Sequence, residues 1–519
     1  MFLVVFDNYS FFKNTLNVYP FIGENIGFLI SLSFVLIALT SFVLTLLSSK
    51  YTIKPVLITV LLVSSLTNYF MNSYNVVIDD DMIRNTIQTD IHESLDLLSI
   101  KEILYFLFLG VLPSIFVYRT KIEYRGLKKE LISKLVFLLL ALAVMGGSIF
   151  AFSKHYTSFF REHKPLRYST NPTYWIYSIG NYVAKTANSG PIVVKPIGLD
   201  AKIVDDSNDT KSKLVIMVVG EAARADHFSL NGYDKETNPK LKTQDIINLS
   251  NVSSCGTSTA ESVPCMFSIY GRGDYSYKKG ITTQNVLDVI SHTGDVSILW
   301  RDNNSDSKGV ALRVPYESYK SDKTNTICTE GECRDIGMLV GLDKYIKEQK
   351  GKDILIVLHQ MGNHGPAYYK RYTKDYEKFT PVCETNQLEQ CTQEKISNAY
   401  DNALLYTDNF LSKSIDFLKS YDKDYKTALI YMADHGESLG EDGIYLHGLP
   451  YFMAPEAQTH VGAFVWIGDK MKDEIDTKKL KEKKDKHYSH DNLFHTLLGI
   501  FDVKTEVYDK DMDIFNDAK

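Results

Sequence analysis

Up to about residue 155 the chain reads as long apolar runs broken by short charged loops, and beyond it as short apolar runs alternating with polar, helix-forming stretches. The run 26–47, IGFLISLSFVLIALTSFVLTLL, is long enough to cross a bilayer as a helix, which takes about 20 apolar residues. Runs 55–71, 103–118 and 135–152 are shorter, but four such runs in series read as membrane spans rather than as buried core helices. The opening MFLVVF is apolar and too short to cross, so it reads as an incomplete first span or as a segment dipping into the membrane.

Past residue 213 the pattern changes to strand-length apolar runs at 214–220, 295–300, 353–359, 427–436 and 462–468. Near-continuous apolar strands separated by helical stretches predict an α/β domain whose central sheet is mostly parallel, with helices on both faces. Three regions follow: a transmembrane domain over 1–153, a connector over 154–212, and a soluble domain over 213–519. Within the connector, 171–190 is rich in Tyr and Trp, which fits interfacial helices on the bilayer and equally a helix packed on the soluble domain. Residues 205–213, DDSNDTKSK, read as a polar linker.

Charge gives the chain a direction. Lys50 and Lys54 lie in one loop, and Arg119, Lys121, Arg125, Lys128, Lys129 and Lys134 in another, while Asp79, Asp80 and Asp81 lie between. Basic loops stay on the cytoplasmic side, so the last span runs outward and everything after about residue 153 lies outside the cytoplasm. A net charge of −6 with a pI near 6.1 excludes a nucleic-acid binder, which carries a clustered basic footprint. The mixed-sign run 472–486 reads as a solvated face.

The six cysteines all fall in the outer part, as neighbours Cys255/Cys265, Cys328/Cys333 and Cys383/Cys391. An oxidising compartment makes them disulfides; many pairings are open, and pairing of neighbours is the expectation. Zinc–thiolate sites favour a shorter spacing than CTEGEC and the other pairs offer.

Candidate chemistry collects at strand ends. LVIMVVG runs into Glu221, TALIYMA into Asp434 and His435, and DILIVLH into a loop that holds His364. In open α/β sheets ligands bind beyond the carboxyl ends of the strands, and carboxylates with an imidazole suit a borderline metal such as zinc. Between Cys255 and Cys265 stand the hydroxyls of Thr257, Ser258, Thr259 and Ser262. A metal-bound hydroxyl is a competent nucleophile, and a disulfide around it would restrict the loop before substrate arrives. A structural turn with surface hydroxyls is the other reading of the same spacing.

The ordered segments VVGEAARADHFSLNGYDKETNP, CGTSTAESVPCMFS, WRDNNSDSKG, GNHGPAY and ADHGESLGEDGIYLHG, behind a bundle of spans, closely resemble the phosphoethanolamine transferases of Gram-negative envelopes, which include the mobile colistin-resistance enzymes. The resemblance covers nearly the whole chain. It implies an alkaline-phosphatase/sulfatase-like domain on about five membrane helices, the first truncated here, in the bacterial inner membrane with the catalytic domain in the periplasm. It implies that Thr259 is the nucleophile, and that Glu221, Asp434 and His435 hold zinc with it, one ion tightly and a second with substrate. It further implies that Asn304, Lys308, His364 and His447 bind substrate. Lys308 suits a phosphate oxygen as a point charge and Asn304 as an amide donor.

The implied reaction moves phosphoethanolamine from phosphatidylethanolamine to Thr259 and then to a lipid A phosphate, lowering negative charge and the attraction of polymyxins such as colistin. A heptose or Kdo acceptor, or a membrane-tethered phosphatase/sulfatase-type hydrolase, are the alternatives. Membrane lipids are the expected partners, with no nucleic acid, and the chain is expected to be a monomer. His490 and His495 are read as structural residues of a helix capped by Ser489 or Asp491, and no role is given to His227 or His460. The sequons at 248 and 251 are read as chance. Two departures from the resemblance stand out: Glu261, two residues past Thr259, and Ala222, where many relatives have Thr.

Overall fold

The structure, a computed structural model, describes every residue except 24, 90, 125, 162, 188–191, 205–210 and 330. Arg125 of the second basic loop and most of the polar linker 205–213 thus lie outside the described residues. The chain divides into two compact units, one of Met1–Thr86 with Leu98–Ser189, the other of Ile87–Leu97 with Gly190–Lys519. The sequence placed all of 1–153 in the first; the structure moves Ile87–Leu97 into the second.

In the first unit, four helices among the described residues are long and apolar enough to span: α1 Asn25–Leu47, α2 Ile53–Tyr74, α3 Ile100–Arg119 and α4 Leu127–Ala151. Their outward side chains, among them Phe34, Leu139, Leu140 and Phe150, are apolar and exposed, as a lipid-facing surface requires. The middle of α3, Phe106–Val111, is π-helical, and there Gly110 lies so close to α2 that a Cβ would stand 2.6 Å from Ser65 Oγ. Small residues permit such close approach between spans. Three shorter helices follow, Ser153–Arg161, Lys164–Tyr168 and Thr173–Ala187.

The second unit is built on a seven-stranded sheet: β1 Lys213–Gly220, β2 Ile246–Leu249, β3 Val296–Asp302, β4 Tyr316–Ser318, β5 Asp353–His359, β6 Lys426–Ala433 and β7 Ala463–Ile467. Their order is β2-β7-β6-β1-β5-β3-β4. The run β6-β1-β5-β3-β4 is parallel throughout, whereas β7 is antiparallel to both neighbours. β1 and β6 are buried over their whole length, which is why both read as unbroken apolar runs. A 27-residue helix, α5 Gln393–Lys419, begins at Thr392, whose hydroxyl accepts from the Lys395 amide, and it packs on β6. The sheet is therefore parallel at its centre, where the site forms, and antiparallel at one side.

Candidate active site

Four parallel strands deliver the site from their carboxyl ends: β1 gives Glu221, β6 gives Asp434 and His435, β3 gives Asn304, and β5 leads to His364. Thr259 opens the helix Thr259–Met266, with Ser258 in extended conformation before it. The peptide dipoles of this helix therefore point their positive end at the Thr259 side chain.

Among the hydroxyls of the disulfide loop, only Thr259 meets the carboxylates. Its Oγ1 lies 3.1 Å from Glu221 Oε2 and 3.3 Å from His435 Nε2. Thr257 instead donates to the Leu449 carbonyl at 2.6 Å, and Ser262 donates to the Asp434 carbonyl. These two bonds hold the loop to its surroundings and leave Thr259 facing the site. Cys255–Cys265 is bonded, as are Cys328–Cys333 and Cys383–Cys391, so every neighbour pairing expected from the sequence is present.

His490 supplies a further tie. The Cys255 amide donates to its Nδ1 at 3.0 Å, so Nδ1 is the bare nitrogen and Nε2–H donates to the Ala433 carbonyl at 2.9 Å. Burial pushes this imidazole down to about 4, keeping it neutral in that tautomer. It fastens the disulfide loop to the end of β6, the structural role expected of it from the sequence.

The donor set fits a metal ion. Glu221, Asp434 and His435 each offer a ligand atom within 4.8 Å of the others, and all three are buried. His435 Nδ1 donates to the Gly436 carbonyl at 2.8 Å, which leaves Nε2 bare and turned to the carboxylates. Asp434 Oδ1 accepts from the amides of Ala222 and His435, at 3.2 and 2.8 Å, while its buried Oδ2 receives no hydrogen bond. A buried carboxylate oxygen without a donor is costly unless a cation meets it. Gly436 is required here, because a Cβ would stand 2.0 Å from the Ala457 carbonyl oxygen.

A second group of potential ligands is formed by His435, Glu437 and His447. In it both Glu437 oxygens are already engaged: Oε1 accepts from the Tyr368 hydroxyl at 2.7 Å and Oε2 pairs with His447 Nδ1 at 2.8 Å. Glu437 thereby fixes the His447 ring, whose centroid lies 4.2 Å from that of His435 and 5.8 Å from that of His364. His364 Nδ1 is buried without a hydrogen-bond partner, and burial with Arg371 and His447 nearby holds this imidazole neutral, well below its ordinary value.

Asn304 stands beside the carboxylates. Its side-chain amide donates to Glu221 Oε2 at 2.9 Å and to the Gln360 carbonyl at 2.8 Å, so its contacts are with a potential metal ligand. Lys308 is buried, with its ammonium 3.4 Å from the Gln88 carbonyl and 3.8 Å from Asp306 Oδ1. The carboxylate of Glu261 lies 3.8 Å from Arg272, whose guanidinium stacks 3.3 Å from the Tyr451 ring centroid and donates to the Cys255 carbonyl. The extra negative charge is thus matched locally. Ala222 occupies a left-handed backbone conformation (φ 51°), and its carbonyl accepts from the Tyr400 hydroxyl at 2.7 Å.

Sequence reasoning did not single out Glu437, Tyr368 or Arg371. Glu437 and Tyr368 lie inside the quoted ADHGES and GNHGPAY segments and were within reach; Arg371 becomes visible only once the loop after β5 is folded.

Known proteins resemble this chain along its whole length. The family described as phosphoethanolamine transferase EptA/EptB matches residues 36–187, and the sulfatase family matches 213–503. The chain is 46% identical over 515 residues to phosphatidylethanolamine transferase Mcr-2 of Escherichia coli, spanning 97% of this chain and 94% of that one. It is 38% identical over 527 residues to phosphoethanolamine transferase EptA of Escherichia coli K12, spanning 99% and 94%. Among solved structures, the integral membrane protein lipooligosaccharide phosphoethanolamine transferase A of Neisseria meningitidis matches with a TM-score of 0.95 and 34% identity, over 100% of this chain and 97% of that one. With spans, sulfatase-like sheet and strand-end site all in place, the chain belongs to the phosphoethanolamine transferase family.

Proposed function

We propose that this protein, a multi-pass protein of the bacterial inner membrane with its catalytic unit in the periplasm, transfers phosphoethanolamine from phosphatidylethanolamine to a phosphate of lipid A through Thr259. The observation that carries the reading is the position of Thr259 Oγ1, within 3.3 Å of both Glu221 and His435 at the positive end of a helix. Residues 1–153 would form the transmembrane domain, 154–212 the connector and 213–519 the catalytic domain, with Ile87–Leu97 grouped with the last.

Glu221, Asp434, His435 and Thr259 would hold one zinc ion. When bound, zinc lowers the pKa of the Thr259 hydroxyl and offsets negative charge on the phosphoryl oxygens. Asp434 Oδ2 supports this set over the His435–Glu437–His447 group, because Glu437 has no oxygen to spare. A second ion would come with substrate.

In the first half-reaction Thr259 Oγ1 attacks phosphorus and the bond to the diacylglycerol oxygen breaks. The threonine proton leaves toward Glu221 Oε2, its nearest acceptor. His447, oriented by Glu437 through Nδ1, presents Nε2 to the site, where an imidazolium would hand its proton to the departing oxygen. Lys308 and the neutral His364 meet the phosphoryl group. In the second half a lipid A phosphate oxygen attacks the same phosphorus and Thr259 leaves. Each group added replaces negative charge with a zwitterion, which weakens the attraction of cationic peptides such as colistin.

The test is mass spectrometry of lipid A from cells producing the intact chain, Thr259→Ser or Thr259→Ala. Phosphoethanolamine on lipid A with the intact chain, less with Ser and none with Ala, is the expected result. Donor consumption without modified lipid A would move the acceptor to Kdo, heptose or water, and activity in Thr259→Ala would remove the covalent step.

A further inference from the structure

Residues Ile87–Leu97 are grouped with the second unit although the chain on both sides of them is grouped with the first. What holds them there is charge. Asp96 accepts from Arg371 Nη2 at 2.5 Å and from the Lys370 ammonium, while its own carbonyl accepts from the Asn386 side chain at 2.7 Å. The Asp96 carboxyl lies below the usual carboxylate range: burial pushes it up, but Arg371 and Lys370 together outweigh that.

Arg371 is the informative partner. Its side chain is 2% exposed, and each of its three nitrogens reaches a different acceptor. Nε donates to the His364 carbonyl at 2.8 Å, Nη1 to Glu332 Oε2 at 2.8 Å, and Nη2 to Asp96. A guanidinium is a rigid planar fork, so moving one prong moves the others. A buried cation between two carboxylates that loses one of them is drawn toward the other. Loss of Asp96 would therefore pull Arg371 toward Glu332 and away from the backbone of His364. At the other end of the same segment, the Gln88 carbonyl receives the Lys308 ammonium. One segment thus reaches both substrate-handling groups, Lys308 directly and His364 through Arg371.

We propose that Asp96 and Arg371 are positioning residues for the transfer reaction: docking of Ile87–Leu97 through Asp96 sets the His364 loop by way of the Arg371 fork. This rests on the reading that His364 handles substrate. Asp96 does not touch the reacting atoms, and its contribution is to the placement of an imidazole that does. Displacing such a group by about an ångström is enough to slow a reaction by up to about a hundredfold.

The experiment uses the full chain in detergent–lipid micelles with a fluorescent phosphatidylethanolamine, measuring kcat, donor KM, zinc content and thermal unfolding. Asp96→Asn and Arg371→Lys are each expected to lower kcat about tenfold or more with KM and zinc content nearly unchanged, and to lower the unfolding temperature, since each breaks a buried ion pair. The double variant should fall within about twofold of either single, because the two act through one contact. Asp96→Glu, which keeps the charge, should recover part of the rate and remains informative if Asp96→Asn fails to fold. Wild-type kcat in Asp96→Asn, or strictly additive losses in the double variant, would overturn the proposal. His364→Ala is run alongside. If it leaves both kcat and KM untouched, the substrate role of His364 fails, whereas a slow His364→Ala beside a fast Asp96→Asn sinks only the positioning role.

Discussion

Replacing Asn304 by Ala separates two roles that the sequence and the structure give to one side chain. The resemblance makes Asn304 a phosphate donor, while the structure aims its amide at Glu221 Oε2 (2.9 Å) and the Gln360 carbonyl (2.8 Å) from a position only 1% exposed. A hydrogen bond to a charged group contributes about 1.5–3 kcal/mol, and there is no room for water to replace it freely. If that energy serves to orient Glu221 for a metal, its loss should weaken metal affinity by roughly 10–200-fold at about 1.4 kcal/mol per decade. The loss of an outer-sphere partner elsewhere costs about 10–100-fold in metal affinity, which overlaps this range. The assay is competition for zinc between the purified full chain and a chelator of known affinity, with donor KM measured at saturating zinc. Asn304→Ala should bind zinc at least about tenfold more weakly with KM within about threefold. Asn304→Leu, which restores volume without the amide, should behave the same. Unchanged zinc affinity with a tenfold rise in KM would refute the reasoning and return Asn304 to the phosphate.

Three other outcomes follow from the same geometry. Glu437→Gln puts an amide where two donors converge, so kcat should drop about tenfold with zinc binding intact, as measured by steady-state kinetics beside metal analysis. Removing the Cys255–Cys265 bond with paired Ser substitutions should cost about 2–4 kcal/mol of stability in denaturant unfolding and lower kcat as well; an unchanged kcat would show that the disulfide serves stability alone. Burial raises Asp513 from 3.8 to about 6, above its unfolded value, so its contribution is fully present below about pH 4 and is lost as pH rises through 6. Asp513→Asn should therefore flatten the dependence of melting temperature on pH between about 4 and 6, and an unchanged slope would contradict the assignment.

How much the sequence disclosed depended on whether the physical cause was local. The spans and the buried strands were legible because lipid on one side of the chain, and helices on both faces of the sheet, impose unbroken apolar runs on any segment that occupies them. Ile246–Leu249 and Tyr316–Ser318 escaped because a short edge strand, half-buried or exposed, carries no such pattern. The antiparallel direction of β7 also left no trace, since direction is decided by the path of the connecting chain and not by the strand's own residues. Glu221, Asp434 and His435 were recognisable because each directly follows an apolar strand, at the edge where open α/β sheets gather their ligands. Thr259 was not separable by spacing from Thr257, Ser258 and Ser262; the distinction lies in bonds made to Leu449 and Asp434, nearly two hundred residues away. Asp96 lies further still from such reach. Its carboxylate stands in a short segment between two spans, its partner 275 positions later, and only the folded chain shows that both converge on the backbone of His364. Residues that perform chemistry are constrained in type and leave a mark on the sequence, whereas residues that position them are constrained by where the chain has brought their partners, which is knowledge the sequence holds only in folded form.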